Sequence, residues 1–289
     1  MIPAFVNPLA GNAEAARAAL QSTGAFDIRE VPPETLANRV RDAINEGAHR
    51  ILVAGGDGTI GSAASALAGT GVELAILPCG TLNHLAKDLA LPLALEEAAR
   101  VAAEGRAVPM DAAVVNDRIF LNTSSVGAYV TFVRARERLE PRFGYHFASL
   151  VAAVRLLVRL PTFRVTLEVD GVTRQYITPL VFIGVGEREL QLPTLGARVA
   201  GGKSGLHVMV VRHRSGARAL ATGLAAATRG VRAVARTPGM DVFLVTSCRI
   251  ESRARRAAVD GELVSIEPPL EYRHDPGCLQ VVVPAAPAE

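Results

Sequence analysis

The sequence predicts a molecule in two parts, an α/β part followed by a mostly antiparallel β part. Three observations carry this. Up to about residue 110, short apolar runs alternate with helical patterns. Beyond that point, short runs rich in Val, Ile and Thr dominate. Asp170-Gly171 separates two of those runs and is a strong hairpin signal. The expected division is 1–115 and 116–289, and the last apolar strand is free to return to the first part.

In chain order, Ile2–Val6 reads as a strand, Ala13–Gln21 and Pro33–Glu46 as helices, and Ile51–Ala54 as a short buried strand. Ile60–Ala68 reads as a helix and Leu74–Pro78 as a strand, followed by helical segments at Asn83–Leu89 and Leu95–Gly105. The order implies a mainly parallel sheet with helices on both faces, so ligands are expected beyond the carboxyl ends of its strands. The later strands are Ala112–Val115, Ile119–Thr123, Phe163–Val169, Gln175–Val185, His207–Val211, Val242–Glu251, Ala257–Val264 and Leu279–Pro284. Two helices interrupt them, Tyr145–Leu160 and Ala217–Arg236. Tyr145–Leu160 is apolar all round except for Arg155 and Arg159, which share a face. It reads as a core-packing helix with one solvated edge, and a membrane-surface helix is the alternative. The tail from Ala285 is expected to fray.

With 49% hydrophobic and 20% charged residues among 289, the chain can bury a large core. Trp is absent and aromatics are 4%, which argues against a base-stacking nucleic-acid surface. The formal charge of +3 is too mild to imply a nucleic-acid partner. Cys79, Cys248 and Cys278 form no metal-ligand spacing and fit a reducing compartment, with Cys79 read as a small filler. The N-terminal MIPAFVNPLAGN has neither a charged leader region nor a long apolar core. No apolar run reaches 18 residues. The expectation is a cytoplasmic protein whose membrane contact, at the inner face, is peripheral.

Four segments carry the chemistry. Gly55-Gly56-Asp57-Gly58-Thr59 follows a buried strand and opens a helix, whose N-terminal amides and dipole favour an anion. Asp57 among them makes sense beside phosphates if it holds Mg²⁺ or assists a nucleophile; otherwise this is a tight turn with an Asp cap. No GxxxxGK[ST] is present, so the loop is not a Walker A motif. Pro78-Cys79-Gly80-Thr81-Leu82-Asn83 and Asn7-Pro8-Leu9-Ala10-Gly11-Asn12 also follow strands. Three polar, glycine-bearing loops on one rim of a parallel sheet are better explained by a nucleotide site than by independent turns. Asp260-Gly261-Glu262 brackets a glycine with two carboxylates and, on its own, reads as a hairpin turn.

Taken together, NPLAGN, GGDGTIG, PCGTLNHLAKDL and VDGE resemble, in order and spacing, the diacylglycerol kinase catalytic family, which includes sphingosine kinases and bacterial soluble lipid kinases. Phe120–Gly127, Arg142–Tyr145 and Pro268–Pro284 extend the resemblance. It implies an ATP-binding α/β domain, a β-sandwich-like second domain carrying part of the substrate pocket, and a cleft between them. It implies Mg·ATP-dependent phosphorylation of a hydroxyl on diacylglycerol, a sphingoid base or a similar lipid, and leaves a homodimer open. Asn7, Pro8, Gly11, Asn12, Gly55, Gly56, Asp57, Gly58, Thr59, Gly80, Thr81 and Asn83 would surround the nucleotide, with Thr35 nearby. Asp57 would organise Mg²⁺, and either Asp260 or Glu262 would take the hydroxyl proton. His84 stands where many members have Asp. Arg198–His207 lacks the acidic residues that many bacterial members use for a structural Mg²⁺, and Gly186–Glu189 departs from the expected glycine-rich segment. Two rival readings are a kinase of a soluble substrate such as NAD, and a catalytically silent nucleotide or lipid sensor.

Overall fold

A computed structural model describes residues 1–158, 161–189, 198–199, 201–212 and 239–285. The chain forms two compact units, Met1–Ala112 with the residues from Asp275 onward, and Ala113–His274. The helix expected over Ala217–Arg236 lies outside the described residues.

The first unit is built on β1 (Ile2–Val6), β2 (Phe26–Glu30), β3 (Arg50–Gly55), β4 (Glu73–Pro78) and the end of β16 (Leu270–Val283). They lie in the order β2-β1-β3-β4-β16, and every pair is parallel. The central strands are buried along nearly their whole length, as expected where helices cover both faces. Helices α1 (Ala13–Thr23) and α5 (Leu95–Glu104) bring Ala16, Leu20, Ala98 and Ala102 against Ala4, Leu52, Ala75 and Leu77. The alternate positions Phe5, Ile51, Val53 and Ile76 are buried as well. Helix α2 (Pro33–Asn45) starts on a proline with Glu34 in its first turn and buries Leu36, Val40 and Ala43 along one stripe. Helix α3 (Asp57–Leu67) begins three residues earlier than the apolar pattern implied, which places Asp57, Gly58 and Thr59 in its first turn. A short helix, α4 (His84–Asp88), follows the third polar loop.

The second unit holds two antiparallel arrays. One runs β12 (Met240–Val245), β11 (Leu206–Val211), β10 (Leu180–Val185), β7 (Thr123–Gly127), β14 (Arg256–Val259), β15 (Glu262–Ser265). The other runs from the start of β16 through β13 (Ser247–Ser252) and β8 (Phe163–Val169) to β9 (Val172–Thr178). Here too are the end of β5 (Arg106–Val115) and β6 (Arg118–Phe120), which pair with each other. One core takes Val126, Ile183 and Val208 from the first array and Leu167, Ile250 and Tyr272 from the second, the arrangement of a sandwich. The Tyr272 hydroxyl meets Ser124 Oγ at 3.0 Å inside that core.

The sequence pattern left β2 and helix α6 (Ala128–Phe143) unassigned. It also ran β9 into β10 and β12 into β13, which break at Pro179 and Thr246. Helix α7 (Tyr145–Val158) does form, but it is not apolar core all round. Ala148 and Ala152 are buried while Phe147, Leu150 and Val154 face outward. Among the described residues, no helix is long and apolar enough to cross a membrane.

Candidate active site

In the first unit the order β2-β1-β3-β4 reverses between β1 and β3. Such a reversal opens a crevice at the carboxyl rim, because the connections leaving the two strands go to opposite faces. The Asn7–Asn12 loop leaves β1 and the Gly55–Thr59 loop leaves β3. Asn7 ties them together: its Nδ2 donates to Thr59 Oγ1 at 3.0 Å, and its Oδ1 accepts from the Leu9 amide at 2.9 Å. Asn7 and Thr59 are both buried, so their pairing meets the cost of desolvating them. Pro8, Gly11 and Asn12 are exposed on the same loop. Gly55 lies under the Thr59 side chain, where any Cβ would meet Thr59 Cβ at 2.6 Å.

The third loop is pulled against the second. A Cβ on Gly80 would come within 2.6 Å of the Gly56 Cα, so the two backbones touch and only glycine fits. Asn83, in the left-handed region at φ 49°, closes this loop: its Oδ1 accepts from the Gly80 amide at 2.9 Å and its Nδ2 donates to the Gly80 carbonyl at 2.8 Å. The Asp57 carboxylate accepts from the amides of His84 at 3.1 Å and Leu85 at 3.2 Å. Asp57 therefore sits in the first turn of α3 and caps the first turn of α4. Within α3 the Ile60 amide bonds back to the Gly56 carbonyl at 3.0 Å, which leaves the amides of Asp57, Gly58 and Thr59 at the open helix end. Thr81 is exposed beside them. Thr35 lies in the first turn of α2, with its hydroxyl on the Pro32 carbonyl at 3.2 Å, at the β2 edge of the rim. Cys79 is buried, and burial pushes its thiol up to about 11, which suits a filler rather than a nucleophile.

In the second unit Asp260-Gly261 forms the two-residue turn between β14 and β15, with both φ values positive at 48° and 86°. The turn reading holds, and the turn is tied to a second segment of the chain. The Asp260 carboxylate accepts from the amides of Leu121 at 2.8 Å, Asn122 at 2.8 Å and Thr123 at 2.9 Å. Burial pushes its pKa up, opposed by those three amides and by the positive charge of Arg188. The carboxylate thereby ties the Leu121–Thr123 backbone to the turn. Glu262, two residues on, is exposed, and its carboxylate makes no hydrogen bond or ion pair among the described residues. The two carboxylates thus differ in how they are held: backbone amides engage Asp260, while Glu262 points away from such partners among the described residues.

Sequence reasoning missed the support of this turn. Arg188 is almost wholly buried, with Nε on the Val185 carbonyl at 3.0 Å and Nη2 on Asn122 Oδ1 at 3.2 Å. The Arg188 amide donates to His207 Nδ1 at 2.9 Å, and Arg198 Nη2 donates to the Leu121 carbonyl at 3.1 Å. Arginine thus supplies positive charge to the loop that Asp260 holds. The signals in the sequence were the departure at Gly186–Glu189 and the missing acidic residues at Arg198–His207. Among the described residues no cluster of three His, Cys, Asp or Glu could hold a metal unaided. A cavity of about 730 Å³ in the second unit, lined by Glu168, Asp170, Arg249 and Glu271, includes none of the expected site residues.

Residues 2–115 match the family model described as the diacylglycerol kinase catalytic domain. A Cronobacter sakazakii protein named "Probable lipid kinase YegS-like" is 41% identical over 114 residues, 37% of this chain and 38% of the relative. One of the same name from Serratia proteamaculans is 32% identical over 157 residues, 52% of this chain and 50% of the relative. The matched region thus spans half or less of the length of these relatives. A crystal structure of a diacylglycerol kinase from Bacillus anthracis superposes with a TM-score of 0.72, covering 98% of this chain and 96% of that one at 20% identity. That likeness establishes a common fold.

Proposed function

We propose, from the match of residues 2–115 to the model of the diacylglycerol kinase catalytic domain, that this chain transfers the γ-phosphoryl group of ATP to a hydroxyl of diacylglycerol, a sphingoid base or a related lipid. The observation that carries the reading is the convergence of three strand-end loops in the first unit, clamped by Asp57 on the amides of His84 and Leu85.

The open amides at the start of α3 and the exposed polar groups of Asn12 and Thr81 suit a polyphosphate. Asp57 is a single carboxylate beside them, which fits a Mg²⁺ that arrives with the nucleotide and keeps most of its ligands from water and phosphate. Bound there, Mg²⁺ would offset the charge on the phosphates. Glu262 removes the proton of the acceptor hydroxyl as its oxygen bonds to the γ-phosphorus. The bond from that phosphorus to the β–γ bridging oxygen breaks, giving ADP and the phosphorylated lipid, with the proton left on Glu262. Asp260, Asn122 and Arg188 hold the turn that presents Glu262.

The test is transfer of labelled phosphate from Mg·ATP to diacylglycerol, sphingoid base, ceramide, a mixed lipid extract and NAD, with Glu262→Gln as control. Label in one lipid product, lost in the variant, supports the reading. Label in NAD alone replaces it with a soluble-substrate kinase. Nucleotide binding without transfer to any acceptor replaces it with a silent sensor.

A further inference from the structure

Helix α7 is built inside out. It turns alanines, Ala148 and Ala152, toward its own unit. The large apolar side chains Phe147, Leu150 and Val154, spaced i, i+3 and i+7 along one stripe, are 52%, 63% and 52% exposed. A helix evolved only to pack would place its bulky residues inward. Phe143, at the end of α6 and 50% exposed, extends the stripe, its ring centroid 5.4 Å from that of Phe147. Four large apolar side chains are thus gathered on one surface of an α6–α7 hairpin.

The charge around this stripe identifies its partner. Arg134, Arg138 and Arg142 are spaced i, i+4 and i+8 on α6, all exposed, and none forms an ion pair among the described residues. Arg142 joins this basic row to the apolar stripe, its guanidinium 5.5 Å from the centre of the Phe143 ring. Arg155 follows Val154 and is exposed. The acidic residues of the hairpin are Glu137, which is exposed, and Glu140, which pairs with Arg136 at 3.4 Å. A second copy docking on this face would bring arginine rows toward each other, which like-charge repulsion opposes. We infer that the α6–α7 hairpin is a docking surface for an anionic lipid bilayer. Phe143, Phe147, Leu150 and Val154 enter the acyl boundary, and the arginines extend along it to the phosphate layer.

The inference rests on the proposed lipid acceptor only for the reason such a surface is needed. Its test uses no ATP, so docking and catalysis succeed or fail separately. Vesicles of phosphatidylcholine alone, or with phosphatidylglycerol, are floated with the full chain, with Phe147→Ser/Leu150→Ser, and with Arg138→Ser/Arg142→Ser. Both double variants change only exposed positions and are checked by their melting temperatures. The wild type should bind the anionic vesicles, more weakly as salt rises. The apolar variant should lose at least tenfold, and the arginine variant about fivefold per charge at low salt. No binding by the wild type, or unchanged binding by the apolar variant, overturns the inference. So does a wild-type dimer that the apolar variant converts to monomer, since the stripe would then face a second copy.

Discussion

Asp57 and the Asp260–Glu262 pair show how little the identity of a carboxylate says about its work. Asp260 receives three amides and Glu262 none. Asp260→Asn removes a charge-assisted acceptor shared by three amides and should cost about 3 kcal/mol of stability. Glu262→Gln should leave the melting temperature and nucleotide binding unchanged and lower kcat by about 10²–10⁴. Equal loss of kcat in both variants with no change in melting would contradict this division. Asp57 stands between these cases. Asp57→Asn keeps one acceptor for two amides and should cost about 1–2 kcal/mol through the loosened α4 start, as well as transfer activity. Urea unfolding of the variant measures the first part without substrate. The sequence marked these carboxylates but not their partners, because the contacts span 27 residues for Asp57 and more than 130 for Asp260. A local motif carries no record of such pairings.

Among the elements, the parallel strands and their helices were readable because each is buried along a continuous run or a regular stripe. β2 was not, because it is an edge strand: Phe26 is buried while Arg29 and Glu30 are exposed. α6 was hidden by its arginines and glutamates, and by Pro141 near its end. Arg50 was missed for the opposite reason, since it looks like an ordinary surface charge. It pairs with Glu73 at 2.6 Å and donates to the carbonyls of Ala102, Ala103 and Gly105, which closes the end of α5 over β3 and β4. Arg50→Met should therefore destabilise the first unit by about 2–4 kcal/mol in denaturant titration, although the residue lies at the end of β3 opposite the Gly55–Thr59 loop. His207 on β11 makes the second unit pH-sensitive. Burial is the main force holding its pKa below the usual 6.5; the nearby charge of Arg188 also lowers it, while Glu187 and Glu189 pull it back. Its neutral Nδ1 accepts the Arg188 amide. Above 6.5 the ring is neutral folded or unfolded, and stability is full. Below 6.5 the unfolded chain takes up a proton that the fold resists, so stability falls as pH drops, by at most about 1.4 kcal/mol per unit. Unfolding from pH 7.5 to 5.5 should show this slope, and His207→Asn, which keeps an acceptor that does not titrate, should flatten it.

For the whole molecule, the consequential feature is the pairing of the last strand, β16. The expectation that the last apolar run could rejoin the first part came from its hydrophobicity alone, and no local pattern could say which strand it would meet. In the structure β16 pairs with β13 through Leu270–Arg273, then with β4 through Gln280 and Val281. The first unit therefore requires residues synthesised after the whole of the second. Leu279, Val281 and Val282 are buried, and the Cys278 carbonyl accepts the Gly69 amide at 2.8 Å. At about 1.5–3 kcal/mol for each buried side chain, this strand contributes an amount comparable to the stability of a typical domain. A chain stopped after Pro284 should melt within a few degrees of the full protein. A chain stopped after His274 keeps the part of β16 that pairs with β13 but exposes the edge of β4, and its first unit should lose cooperative unfolding and aggregate. The second unit should then retain protected amides in hydrogen exchange while the first does not. A soluble, cooperatively folded first unit in the shorter chain would show that the parallel β4–β16 pairing is dispensable.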